Sequence, residues 1–375
     1  MQRALELAEH GRLTVAPNPM VGAVIVQNGE IVGEGYHARV GGPHAEIVAL
    51  AEAGDRARKA TIYVTLEPCS HMGRTPPCAN ALVAAGIERV VCAMIDPNPV
   101  VQGRGVALLR AAGVDVVIGL LEPEARALNA AFVVAQCAGR PMVTVKLATS
   151  LDGRIATRTG HSQWISGELA RDETHKMRAR AGAILAGTGT VVADDPRLTA
   201  RPNGELAAKQ PLRVVLDRTL RTDVESTVYD TSVAPTLVFA AEQASAEARR
   251  ALVARGVEVV SVDSDEHHLL DLSAVLAELL QRGVNDVFVE GGGSLTGSLF
   301  DHGLVDRLVQ IIAPIIIGGH DSRPGVGGRG VDVVDRAPRA RAVRYDTIGD
   351  DLLIVADFST CLTTPLVPSA DKEST

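Results

Sequence analysis

A Val- and Ile-rich run at residues 21–26 and a second segment at 31–36 flank Asn28-Gly29. Asn-Gly between two such runs predicts a β-hairpin, because both residues tolerate the positive φ of a tight turn. The period then switches. Residues 45–53 carry apolar positions at helical spacing up to Gly54, 61–66 read as a strand, and 79–85 as a helix closing at Gly86. A strand at 90–95, a helix over 105–112 ending at Gly113, and a strand at 114–118 complete the series. Alternation at this spacing predicts an α/β domain with a mostly parallel sheet under covering helices.

Gly139 and Pro141 interrupt the pattern, and a domain boundary is expected there. A second α/β series follows: strand 143–148, helix near 167–181, then strands near 183–186, 213–216 and 237–239. Helix 244–255 precedes strand 257–262, helix 272–281 precedes strand 286–289, and later strands run 308–313 and 352–358. The last dozen residues mix Pro, Ser and charge and read as a disordered tail. The expected division is 1–140, 141–361 and a tail at 362–375.

Composition narrows the function. Of 375 residues, 46% are hydrophobic, enough for two cores, while only 3% are aromatic. A net charge of −8 is the wrong sign for a nucleic-acid footprint, and scarce aromatics argue against base stacking. Five cysteines make no disulfide framework. The first residues carry Glu6 and no long apolar core, and the apolar run at 311–317 is broken by Pro314, so neither a signal peptide nor a membrane span is expected. A cytoplasmic protein is the expectation.

The densest chemistry lies in the first third. Pro43-His44-Ala45-Glu46 opens a helix pattern, Glu67-Pro68-Cys69 follows a strand, and Pro77-Cys78 opens another helix. One imidazole and two thiolates make a three-ligand zinc site with the fourth tetrahedral position left for water. Zinc draws that water's pKa toward neutrality. Glu46, two residues after the ligand His44 on the first helical turn, would take the water's proton and return it to a leaving amine. Both thiolates are expected at helix N-termini, where the dipole favours negative charge. His-x-Glu with Pro-Cys and a second Cys is the zinc-deaminase pattern, except that eight residues rather than two separate Cys69 from Cys78.

That longer insert carries a resemblance. The string Val64-Thr65-Leu66-Glu67-Pro68-Cys69-Ser70-His71-Met72-Gly73-Arg74-Thr75-Pro76-Pro77-Cys78 closely resembles the deaminase half of the bacterial bifunctional riboflavin-biosynthesis deaminase–reductases. So do Pro17-Asn18-Pro19, Gly35-Tyr36-His37 and Asp96-Pro97-Asn98-Pro99. The resemblance implies a cytidine-deaminase-like three-layer domain followed by a dihydrofolate-reductase-like domain. It implies deamination of a diamino-ribosylamino-pyrimidinone 5′-phosphate, with Asn18, His37, His71, Arg74 and Asn98 lining the pocket. Arg74 offers a planar fork to a phosphate. Asn18 and Asn98, flanked by prolines, also suit plain turns, and His71 as a fourth metal ligand would close the site.

In the second half, Val287-Phe288-Val289-Glu290 runs into Gly291-Gly292-Gly293-Ser294-Leu295-Thr296-Gly297-Ser298 and then a helix. A glycine-rich turn from strand to helix can cradle phosphate, although this is not the G-x-G-x-x-G fingerprint. The same family's reductase half is resembled here and at Lys146 to Arg154, Ser162 to Ser166 and Thr188 to Thr199. What it implies is NADPH-dependent reduction of the ribosyl side chain to ribityl. By that resemblance Ala148, Trp164, Thr190, Asp194 and the loop Gly292, Gly293, Ser294, Leu295, Thr296, Gly297, Ser298 hold the dinucleotide. Ser162, Arg178, Leu198, Arg201 and Glu290 hold the substrate, and Lys146 polarises the opened sugar. The bland readings are a turn at Asp152-Gly153, a solvated helix face at Arg178 and a core Trp164. Arg218 could meet a 2′-phosphate, but the family pattern is loose there. Cys92, Cys137 and Cys361 lack ligand-like neighbours.

The expected partners are thus one Zn2+ per chain, NADPH, a pyrimidine ribosyl phosphate and further copies of the chain, with no nucleic acid and no membrane. Two other readings share some of these residues. A nucleic-acid or nucleoside deaminase with a C-terminal binding module predicts a basic channel. A zinc-stapled structural protein has no use for Glu46 beside the metal.

Overall fold

The computed structural model describes residues 1–70, 77–99, 101–265 and 269–363. They form two compact units, Met1–Gly139 and Arg140–Thr363.

In the first unit the elements run α1 (Gln2–Glu9), β1 (Gly22–Gln27), β2 (Glu30–Tyr36), α2 (Ala45–Ala53), β3 (Thr61–Val64), α3 (Cys78–Ala84), β4 (Arg89–Cys92), α4 (Arg104–Ala111), β5 (Asp115–Ile118), α5 (Glu122–Leu128) and α6 (Ala130–Ala138). The hairpin forms as expected, with Asn28 and Gly29 at φ 52° and 83°. Its sheet, ordered β2-β1-β3-β4-β5, is parallel only across β3-β4-β5. β1 is antiparallel to both its neighbours, so the expectation of a mostly parallel sheet is corrected for this unit. Alternation along β1 divides the two faces: Ala23 and Ile25 join Ala45 and Ala49 of α2, while Val24 meets Ala4 and Leu7 of α1. Helices on both faces make the layers α/β/α.

Small residues set how closely those helices lie. A Cβ on Gly22 would sit 1.9 Å from the Ala4 carbonyl of α1, and one on Gly35 2.4 Å from the Ala45 carbonyl of α2. Neither helix can pack so flush on a strand bearing side chains at these points.

The second unit runs β6 (Met142–Ser150), β7 (Arg154–Ala156), α7 (Glu168–Arg180), β8 (Ala183–Gly187), α8 (Thr188–Asp194), β9 (Leu212–Leu216), β10 (Thr236–Ala240), α9 (Ala246–Ala254), β11 (Glu258–Ser261), α10 (Leu272–Gln281), β12 (Asp286–Val289), α11 (Gly293–Asp301), β13 (Arg307–Ala313), β14 (Arg323–Pro324), β15 (Ala342–Ile348) and β16 (Asp351–Asp357). Nine strands order as β11-β10-β9-β8-β12-β6-β13-β16-β15. From β11 to β13 the pairings are parallel; β16 and β15 close the edge antiparallel. The parallel strands are apolar on both faces, as sheets covered on both sides must be. Buried Asp306 accepts Arg140 Nη1 at 2.6 Å and Nη2 at 3.0 Å and the Val143 amide at 2.8 Å, which pins the start of β6.

One expected loop is corrected. The glycine-rich run does not continue to Ser298 as a turn: α11 begins at Gly293. A Cβ on Gly293 would lie 2.5 Å from the Pro324 carbonyl, and one on Gly297 2.2 Å from the backbone of Gly327. Part of the glycine content therefore serves contact between a helix and a second glycine-rich segment, at 324–330. Asp152 and Gly153 do form a turn, with Asp152 accepting the amides of Ile317 and Gly318.

A Gly22→Ala variant is expected to lift α1 off β1 and to cost about 1–3 kcal/mol by overpacking. A lower denaturation midpoint for the first unit, read by urea titration, checks this.

Candidate metal centre and ligand cavity

Three chain segments converge on one point in the first unit. His44 is the N-cap of α2, Cys78 is the first residue of α3, and Cys69 lies in the segment that leaves β3. His44 Nδ1 is 3.2 Å from Cys78 Sγ and 3.6 Å from Cys69 Sγ, and the three donor atoms all lie within 4.8 Å of one another. Zinc with bonds of about 2.0–2.3 Å in tetrahedral array separates N and S ligands by about 3.6 Å, so the donor set fits that metal. Only Cys78 sits at a helix N-terminus, which corrects the expectation for Cys69. Cys69 shares the site differently: its sulfur accepts the Cys78 amide at 3.3 Å. Hydrogen bonds from the Cys78 thiol and from His44 lower the Cys69 thiol below its ordinary range, against the opposing effect of burial.

Glu46, on the first turn of α2, is 3% exposed. Burial pushes its carboxyl up to about 7. His37 donates from Nδ1 to the Pro43 carbonyl at 3.0 Å, which leaves Nε2 to accept the Asn18 amide at 3.2 Å. Its ring meets that of His44 edge-on, with centroids 5.5 Å apart. Burial keeps His37 below its ordinary pKa, consistent with the neutral tautomer. Asn18 and His37 are therefore brought together beside the donor set. Asn18 also closes a turn, its amide donating to Val15. Asn98 lies on the loop after β4, its amide bonded to Asp96 Oδ1 at 2.8 Å. His71 and Arg74 lie outside the described residues.

The second unit holds a cavity of about 780 Å3. It spans the C-terminal ends of the adjacent strands β9, β8 and β12, where open parallel sheets bind ligands. Its wall includes Ser162, Thr190, Asp194, Gly292, Gly293, Ser294, Leu295 and Ser298 from the expected set. The start of α11 faces it, an arrangement suited to phosphate. Thr296 is wholly buried, Gly297 abuts Gly327, and neither is in the wall, nor are Ala148 and Trp164. Trp164 is 69% exposed and lies under the Arg171 guanidinium, so it is no core residue. Sequence reasoning left Arg218 uncommitted and passed over Arg221 and Arg323, all of which line the cavity.

The expected substrate residues gather around a buried ion pair. Arg178 is no solvated lysine-like side chain: it grips Glu290 through two nitrogens, Nη2 to Oε2 at 2.8 Å, and donates to the Thr199 carbonyl at 3.0 Å. Burial opposes it, but Arg178 and then Lys146 hold the Glu290 carboxyl below its ordinary range. Burial also lowers the Lys146 ammonium, with Glu290 pulling the other way. Arg201 donates its amide to His175 Nδ1 at 3.2 Å and its guanidinium to Thr199. Leu198, at φ 47°, is buried in the apolar cluster with Ile184, Ala186 and Val191. His175, between two arginines, falls to about 4 through burial and their charges.

Fold and site define a two-unit protein: a zinc-binding deaminase unit, then a reductase-type α/β unit. The family model for the cytidine and deoxycytidylate deaminase zinc-binding region matches residues 1–94, and that for the RibD C-terminal domain matches 141–354. The chain belongs to the family of the riboflavin biosynthesis protein RibD. The Escherichia coli RibD is 43% identical over 367 residues, 94% of this chain and 97% of that one. The Aquifex aeolicus RibD is 41% identical over 356 residues, covering 94% and 96%. A solved Acinetobacter baumannii RibD superposes with a TM-score of 0.82 at 36% identity, covering 96% and 97%. A solved Thermotoga maritima diaminohydroxyphosphoribosylaminopyrimidine deaminase/5-amino-6-(5-phosphoribosylamino)uracil reductase superposes with a TM-score of 0.82 at 35% identity, covering 96% and 97%.

Because His175 protonates near its ordinary value of 6.5 when unfolded but at about 4 when folded, the unfolded chain binds more protons between those values. The second unit is expected to lose stability as pH falls from about 6.5 to about 4. Urea midpoints across that window should slope less in His175→Asn.

Proposed function

We propose that the chain is a bifunctional enzyme of riboflavin biosynthesis. Residues 1–140 carry hydrolytic deamination of 2,5-diamino-6-ribosylamino-4(3H)-pyrimidinone 5′-phosphate, and residues 141–361 carry NADPH-dependent reduction of the ribosyl to a ribityl side chain. The observation that carries the reading is the closure of His44, Cys69 and Cys78 into one donor set with buried Glu46 on the turn beside it. A structural zinc site has no need of that carboxyl, and its near-neutral pKa suits a group that both takes and gives a proton.

Zinc held by those three residues supplies Lewis-acid activation of the attacking water. Glu46 receives the proton at its carboxyl and delivers it to the departing amine. Asn18 and Asn98 present amides to the pyrimidine, with His37 fixing the Asn18 side chain through Nε2. His71 and Arg74 complete the pocket for ring and phosphate, on the strength of the family string alone.

In the second unit the residues below would hold NADPH, which when bound would supply the hydride for reduction at C1′ of the sugar. Gly292, Gly293, Ser294 and the amides opening α11 hold its phosphates, with Leu295, Thr296, Gly297 and Ser298 continuing the helix behind them. Thr190 and Asp194 of α8 and Ser162, whose hydroxyl donates to Asp194 at 3.4 Å, flank the same space. Ala148 and Trp164 belong to this set by family likeness. The Arg178–Glu290 pair forms a rigid wall that Lys146 faces, and Arg201 offers its guanidinium to the 5′-phosphate beside Leu198. Lys146 holds the opened sugar's oxygen through its ammonium. The match of 141–354 to a reductase-family domain supports this over a plain binding module.

The proposal places the enzyme in the cytoplasm, where the two ligand thiols stay reduced. No helix among the described residues is long and apolar enough to cross a membrane. Self-association is supported by β15, an edge strand exposed along both faces at 342–347.

Glu46→Gln is expected to keep one zinc per chain and lose ammonia release, while NADPH oxidation with pre-deaminated substrate continues. Metal analysis and paired assays check this. Loss of both activities in a folded variant would overturn the two-site reading.

A further inference from the structure

The carboxylate of Glu67, two residues before the ligand Cys69, is 3% exposed and has no role in the chemistry described above. It accepts four backbone amides from a different part of the chain. Oε2 takes Asp96 at 3.2 Å and Gly103 at 2.9 Å, and Oε1 takes Gly105 at 2.9 Å and Val106 at 3.1 Å. These donors are the start of the loop after β4 and the first turn of α4. The Asn98 loop is strung between them, with the amides of Val101 and Gln102 bonded to the Asn98 carbonyl. A second contact acts at the same place: a Cβ on Gly105 would lie 1.9 Å from the Pro68 carbonyl, so α4 abuts the segment that ends in Cys69. A charged acceptor facing four amides is a strong and directional tie, and it satisfies the open N–H groups of the helix start.

We infer that Glu67 is a positioning residue that registers the Asn98 loop against the metal-ligand segment, and so sets affinity for the pyrimidine. It touches neither substrate nor metal; it acts through the loop ends it holds. The inference rests on the reading of Asn98 as a pocket residue. Glutamine at 67 keeps the size but turns an NH2 toward two of the four amides, leaving them without an acceptor. Alanine at 105 keeps the carboxylate but pushes α4 off Pro68 and crowds Glu67 Oε1, 3.2 Å from the added Cβ, so it strains the same tie.

The test uses the zinc-loaded full chain and compares Glu67→Gln, Gly105→Ala and Asn98→Ala by ammonia release over a range of diaminopyrimidine phosphate. Glu67→Gln and Gly105→Ala are each expected to raise KM about tenfold, as loss of outer-shell support does. Their kcat should stay within about twofold, the split that marks lost binding rather than lost chemistry. Zinc should remain at one per chain, reduction of pre-deaminated substrate should be unchanged, and the amides of 103–106 should exchange hydrogen faster. Should Glu67→Gln fail to fold, Gly105→Ala decides alone. If Asn98→Ala raises KM and the other two do not, or if they shed zinc instead, the inference fails and the pocket reading stands. If Asn98→Ala leaves KM unchanged, the pocket reading of Asn98 fails and takes the inference with it.

Discussion

Three donor atoms from segments up to 34 residues apart must meet within a few ångströms for the first unit to act at all, and almost every feature of that unit serves the meeting. The sheet brings β3 beside β1, so the exit of β3 lies next to the turn that starts α2. Close packing on Gly33 and Gly35 draws α2 down onto β2, which carries His44 and Glu46 with it. The Cys78 amide then binds the Cys69 sulfur, so the two thiols are held by backbone as well as by side-chain geometry. Packing and backbone hydrogen bonds thus position the donors, so the centre does not depend on side-chain geometry alone.

Much of this was legible because its spacing is local. Helix starts at His44 and Cys78, a strand before Cys69, and Glu46 one short step from His44 can each be read from a few neighbouring residues. What eluded reading is non-local or lacks periodicity. α1 is short and shows its packing partner only through Gly22. β15 has no buried face among residues 342–347, so the alternation that marks strands is missing. Cys69 was expected at a helix start like Cys78, but its sulfur accepts the helix amide of Cys78 instead.

The second unit shows the same division. Its parallel strands announce themselves as apolar runs, yet Arg178 looked like one more charge on a basic helix. Its partner Glu290 is 112 residues away, at the end of β12, and no helical spacing connects them. The glycine-rich run was read as a turn able to cradle phosphate. Gly292 and Gly293 do face the cavity, but Gly297 is there because the backbone of Gly327 leaves no room for a Cβ. One run of sequence answers two constraints, close helix packing on one side and an open ligand wall on the other.

Charge gives the last step. The chain carries a net −8, and a uniformly acidic surface would repel a phosphorylated substrate and a phosphorylated cofactor alike. Cationic groups are instead gathered locally: Arg218, Arg221 and Arg323 on the cavity wall, and Arg201 beside the Arg178–Glu290 pair. Glu290 neutralises Arg178, so the field beside the pair comes chiefly from Arg201. His175 cannot add to it: held near 4, it is neutral at cellular pH and accepts the Arg201 amide rather than repelling the guanidinium. On a chain of net −8, local placement of arginine, and not overall charge, is what makes these walls attractive to a phosphate.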